Sequence, residues 1–184
     1  MKATSELVKE HEGITLMLNI MTKVSDNIQK RKPVDSQHIA QIIEFLKIFA
    51  DQCHHGKEEG ILFPELVKKG FSQESGPIAV MLREHTIGRG YIKDMANHFE
   101  RFKTENGGEL LRVADDMNKY ISLLTNHIQK ENQILFPMAD KEFLEDVQDQ
   151  LFARYEKLEE EVIGVGRHGE FHKLLKHLKT VYLQ

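Results

Sequence analysis

Apolar residues recur at steps of three and four along most of the chain, and no segment alternates strictly enough to read as a strand. Leu7, His11, Ile14, Leu18, Met21 and Ile28 predict a first helix from about Ser5 to Gln29, stopped by Arg31-Lys32-Pro33. A second starts at an Asp35-Ser36 cap and carries Ile39, Ile43, Leu46, Ala50, His54, Glu58 and Ile61 on one stripe. It should fail near Pro64 or, at latest, Gly70. Ser75-Gly76-Pro77 opens a third, with Ile78, Met81, Leu82, His85, Arg89, Ile92 and Ala96 on its stripe. After a turn at Asn106-Gly107-Gly108 comes a fourth, with Val113, Met117, Tyr120, Leu124, His127, Glu131 and Ile134, expected to end by Pro137. A fifth runs from about Lys141 to Val162. Gly164 and Gly166 break the chain, and a short sixth spans about Glu170 to Tyr182. The prediction is an all-α fold: an antiparallel four-helix bundle over about residues 5–140 with additional C-terminal helices over 141–184, in one domain covering 1–184.

The bundle is written twice. HHGKEEGILFP (54–64) returns as HIQKENQILFP (127–137) with seven of eleven positions identical, and KEHEGI around His11 resembles REHTIG around His85. Each half therefore contributes a lone histidine on its first helix and a His-x-x-x-Glu on its second. The intervals, 43 residues from His11 to His54 and 42 from His85 to His127, return each histidine to about the same height.

Composition narrows the partners. A formal charge of −4 and a pI near 6.2 give no electrostatic case for nucleic acid or an anionic membrane. No apolar run approaches the length of a spanning helix, and the first residues have no signal-peptide pattern. The single cysteine, Cys53, excludes an intrachain disulfide, and a reducing cytoplasm is the expected compartment. Ten histidines are the unusual count.

A four-residue step turns an α-helix by about 400°, so His54 and Glu58 share a face, as do His127 and Glu131. Both pairs continue apolar stripes, and His11 and His85 sit on the same kind of stripe. Six such groups facing a bundle interior would be costly without something to satisfy them. A pair of divalent or trivalent cations does so, with carboxylates bridging and imidazoles terminal. That mix is typical of non-haem iron and manganese centres inside helical bundles, whereas structural zinc sites are rich in cysteine.

The order His, His-x-x-x-Glu, His, His-x-x-x-Glu over about residues 5–140, with the repeated Ile-Leu-Phe-Pro tail, resembles the hemerythrin-like (HHE cation-binding) family, in its double His-x-x-x-Glu branch. The resemblance implies a four-helix bundle around two iron ions, oxo- or hydroxo-bridged, with manganese the less favoured metal. It would make His11, His54, His85 and His127 terminal ligands and Glu58 and Glu131 bridges. Oxygen-carrying members have a fifth histidine where Arg89 stands here, and an aspartate where Glu131 stands. Both departures count against reversible oxygen carriage. The branch includes bacterial iron-sulfur cluster repair proteins, which add an N-terminal cysteine-bearing domain that is not read here and a further histidine where Lys32 stands.

The function so implied is a non-haem di-iron protein that binds or reacts with a small oxidant (dioxygen, peroxide or nitric oxide), in oxygen or redox sensing or in iron-centre repair. The alternative is an iron- and oxygen-dependent regulatory interaction module without catalytic turnover, its last two helices facing a protein partner. A metal-free helical scaffold is the third reading. Arg89, one turn from His85, is expected at the open side, where its cation would steady a bound anion or oxo group. His55, about 100° around from His54, is expected to be exposed or to lie behind the ligands. His38 and His98 fall off the stripes. His168, His172 and His177 read as ordinary amphipathic-helix residues, Lys57 and Lys130 as solvated, Cys53, Tyr91 and Tyr120 as core packing.

Overall fold

The computed structural model describes residues 3–104, 108–164 and 166–184, which form six helices with no strand among them. Helix α1 spans Ala3–Gln29. It ends where Arg31 turns left-handed (φ 55°) and Lys32 N–H donates back to the Asn27 carbonyl at 2.8 Å, a termination usually built on glycine. Helix α2 runs through residues 36–68 and is capped by the Asp35 side chain, which accepts from Gln37 N–H at 2.8 Å. Gly70 (φ 96°) closes it. Helix α3 is Gly76–Thr104, α4 runs through 109–142, α5 is Glu145–Val162 and α6 is Arg167–Tyr182. Of the turn expected before α4, Asn106 and Gly107 lie outside the described residues.

Two helices continue past a proline. Helix α2 is α-helical over Ser36–Phe45, widens to π-type hydrogen bonding over Leu46–His55 and again over Glu58–Leu62, and resumes as an α-helix at Phe63–Lys68. Helix α4 is α-helical over Glu109–Lys130, widens over Glu131–Leu135 and resumes over Phe136–Glu142. The Phe63 N–H reaches the Glu58 carbonyl and the Phe136 N–H the Glu131 carbonyl, five residues back in each case. A proline ring clashes with the carbonyl four residues earlier in a regular α-helix, and the wider turn before Pro64 and Pro137 relieves that clash. Consequently α4 does not stop at Pro137 as its sequence predicts. It runs to Glu142, and α5 begins at Glu145 after an extended Phe143.

Helix α4 packs along both α1 and α3, and α2 completes the bundle against α3 and α1. Helix α5 lies across α1 and α2, and α6 packs against the same two helices. Two apolar clusters result. The larger joins Ile14, Met21, Phe45, Phe49, Met117 and Tyr120 with Phe171 and Leu175 of α6. The smaller joins Leu7, Phe63, Met81, Phe136 and, from α5, Leu151 and Tyr155. Along every bundle helix a polar residue separates the two: His11 follows Leu7, His54 and Glu58 precede Ile61, His85 follows Met81, and His127 and Glu131 precede Leu135.

Candidate metal centre

All six sequence-predicted residues meet in that polar layer, each at most 2% exposed. The Nε2 atoms of His11 and His54 are 2.9 Å apart, and those of His85 and His127 are 3.0 Å apart. Each glutamate spans the gap between these two pairs. Glu131 places Oε2 3.2 Å from His11 Nε2 and Oε1 3.2 Å from His127 Nε2. Glu58 places Oε1 3.7 Å from His54 Nε2 and Oε2 3.4 Å from His85 Nε2. None of the four carboxylate oxygens accepts a hydrogen bond of good geometry, although all are buried. Desolvated carboxylates left so are costly. Two positions for a cation fit the donors, one among His11, His54, Glu58 and Glu131, the other among His55, Glu58, His85 and His127, with donor atoms within 4.8 Å of one another in each group.

The outward nitrogens are held in a pattern that repeats with the sequence. Glu10 Oε2 meets His54 Nδ1 at 2.7 Å and its other oxygen takes the Lys57 ammonium; Glu84 Oε2 meets His127 Nδ1 at 2.9 Å and its other oxygen takes that of Lys130. Asn132 Oδ1 meets His11 Nδ1 at 2.8 Å, and Glu59 Oε1 meets His85 Nδ1 at 2.7 Å. An acceptor on Nδ1 fixes the tautomer, so Nε2 keeps its lone pair for the interior. The Phe of the repeated tail crosses over. Phe136 stacks on His11 at 5.4 Å and Phe63 on His85 at 6.0 Å, so each half covers the lone histidine of the other. The glutamate before each lone histidine and the lysine before each of Glu58 and Glu131 thus have a shared purpose. Lys57 and Lys130 are clamped to it rather than solvated, Lys57 fully buried and Lys130 about a third exposed.

A family model described as the hemerythrin HHE cation binding domain matches residues 2–139. The chain belongs to the hemerythrin HHE cation-binding family. Among curated proteins it is similar to the iron-sulfur cluster repair protein YtfE of Salmonella typhimurium, Salmonella newport and Salmonella gallinarum, each 38% identical over 90 residues. That stretch is 47% of this chain and 40% of each relative, so the chain spans less than half the length of the relatives it matches. No solved structure gives a significant match. Among the described residues no helix is long and apolar enough to cross a membrane.

Electrostatics in the hemerythrin-family layer follow from close packing of opposite charges. Burial alone would lower the imidazoles of His11, His85 and His127, but the Glu131 and Glu58 carboxylates outweigh it, and all three are raised, His85 to about 9. Burial would raise Glu131, yet His127 and His11 hold it well below the usual carboxylate range. Cations placed among these donors therefore displace protons, and metal uptake is coupled to proton release.

Besides Lys57 and Lys130, Arg89 departs from its predicted place, and of the two places expected for His55 the exposed one is overturned. His55 is not exposed: it is buried, its ring stacks on His85 at 3.8 Å, and its Nε2 has no hydrogen-bond partner. His127 and Ile128 are both buried on the regular α-helical stretch of α4, so facing inward as a pair does not depend on the widened turn at His55. One signal was present in the repeat: the matching position is Ile128, an apolar residue, which marks that place as interior. Arg89 does not reach into the centre. Its Nε donates to Asp51 Oδ1 and its Nη2 to Glu59 Oε1, both at 2.8 Å, and it closes the outer surface. The other histidines lie elsewhere. His38 meets the Tyr182 hydroxyl and the edge of His177, His98 pairs with Asp116, and His168 lies 2.5 Å from Glu159 with His172 beside it. Cys53 and Tyr120 are core residues, and burial pushes the Cys53 thiol up to about 12.

Proposed function

We propose that His11, His54, His85 and His127 are terminal ligands and Glu58 and Glu131 bridging ligands of two iron ions, and that the centre binds or reacts with a small oxidant. The observation that carries this is the span of the two glutamates. Each sets one oxygen against one histidine pair and the other oxygen against the second pair. A carboxylate serving a single ion would not need to face both. Imidazole with carboxylate suits iron better than the thiolate-rich structural zinc sites, and manganese is less favoured. Bound iron would supply redox chemistry and open coordination positions for dioxygen, peroxide or nitric oxide. The chain's own residues fix the donors. Glu10, Glu84, Asn132 and Glu59 orient the imidazoles, and Phe63 and Phe136 seal the layer from one side. Iron-centre repair is the physiological setting supported by the likeness to YtfE.

The test is metal content with the visible spectrum, in air and under anaerobic reducing conditions, on protein purified without chelator. Two irons per chain and a band that changes with peroxide or nitric oxide are expected. Fewer than one metal per chain would leave a helical scaffold.

A further inference from the structure

Resting on that two-ion reading, the geometry points to His55 as a fifth imidazole ligand, belonging to the ion held by His85 and His127. The ions are then unlike, one with three imidazoles and one with two. His55 joins Glu58, His85 and His127 in a group whose donor atoms lie within 4.8 Å of one another. Its Nδ1 lies 3.3 Å from Asp51 Oδ1, and its buried Nε2 has no partner. That is the arrangement of the other four histidines: an acceptor behind Nδ1, Nε2 left for the interior.

The acceptors behind this ion are themselves tied together. Asp51, behind His55, and Glu59, behind His85, are both held by Arg89. The arginine fixes two carboxylates, each of which fixes one imidazole. Among the described residues the other half has no comparable arrangement. The positions matching His55, Asp51 and Arg89 are Ile128, Leu124 and Thr15. Ile128 shows what simple filling of this place looks like, and a filler has no use for a buried nitrogen with an acceptor fixed behind it.

The surface agrees with unlike ions. Between α1 and α4 a groove of about 380 Å³, lined by Glu12, Thr15 and Asn132, reaches His11. The matching approach to His85 is crossed by the Arg89 ion pairs, and the cavity there, about 220 Å³, is lined by Asp51 and Arg89 without His85.

The experiment uses the full iron-loaded chain. Nuclear magnetic resonance should show five hyperfine-shifted, solvent-exchangeable imidazole N–H signals in the wild type, one for each ligand; four would overturn the assignment. In His55→Phe, which keeps an aromatic ring against His85, one signal should vanish. One of two Mössbauer doublets should also shift while the other stays. Spectra superimposable on the wild type would overturn the assignment as well. A wild-type chain that takes up no iron sinks the two-ion reading itself, whereas two irons with four signals sink only the role of His55.

Discussion

The two hairpins carry the same plan and differ at a few positions, and the differences gather on one side. Glu10, His11, His54, Lys57, Glu58 and Phe63 have counterparts in Glu84, His85, His127, Lys130, Glu131 and Phe136, and each pair makes the same contact. Where they part, α2 carries His55 and Glu59 against Ile128 and Asn132 in α4, and α3 carries Arg89 where α1 has Thr15. Lys57 is also buried under α5, which adds Glu159 at 2.8 Å, while Lys130 faces outward. Such a repeat keeps in both copies what a pair of cations would require. It has room to diverge wherever only one copy is affected.

The largest expected effect ignores the difference between halves. Because Glu58 and Glu131 each face both histidine pairs, Glu58→Ala and Glu131→Ala should each empty both positions, bringing metal content below one per chain by elemental analysis. Retention of two irons in Glu58→Ala would remove it from the bridge.

The lysines should separate the halves. Lys57→Met leaves Glu10 and Glu159 facing each other beside a buried imidazole, and breaking a buried pair costs ~3–5 kcal/mol. Lys130→Met leaves one partly exposed Glu84, for which ~1 kcal/mol or less is expected. Urea denaturation of the two variants measures the gap; equal losses would refute the inequality of the halves.

Smaller again are the acceptors behind the imidazoles. Glu10→Gln and Glu84→Gln should each weaken metal binding by ~10–100-fold in a chelator competition, to similar degrees, because their geometry matches.

The smallest effect concerns α6. His168 is raised by the Glu159 carboxylate beside it, and Glu159 is lowered to about 2 by His168 and Lys57. A raised imidazole stabilises fully below its ordinary value of about 6.5, and that contribution is lost as pH rises through its folded value. A lowered carboxylate stabilises above its ordinary value of about 4.3 and is lost as pH falls towards 2. The link between α5 and α6 should therefore be tightest between about pH 4.5 and 6.5. Amide exchange in α6, corrected for intrinsic pH dependence, should rise modestly above that window. His168→Gln should remove the upper half of the dependence.

How much of this was legible in the sequence differs from residue to residue. His11, His54, Glu58, His85, His127 and Glu131 were readable because steps of four keep residues on one face of an α-helix. His55 stands next to a stripe residue, and a stripe read in steps of three and four passes it over; the apolar Ile128 at the matching place was its signal. Pro64 and Pro137 pointed to helix ends, yet the widened turn before each lets both helices pass them. Arg89 was readable as a near neighbour of His85, but its direction depends on Asp51 and Glu59, which no helical stripe singles out. Glu10 and Glu84 stood in the repeat as the residue before each lone histidine. Their contacts cross between helices, so spacing along one helix could not reveal them.

The crossed aromatic tails have a consequence for the history of such a repeat. Phe63 roofs a histidine of the second hairpin and Phe136 one of the first, and neither Glu58 nor Glu131 is confined to its own half. A single hairpin would own half a cage and half a lid. Copies of it could bind a cation pair only after two had docked face to face, so the doubled gene fixes in one polypeptide an assembly that separate chains would have had to find by collision.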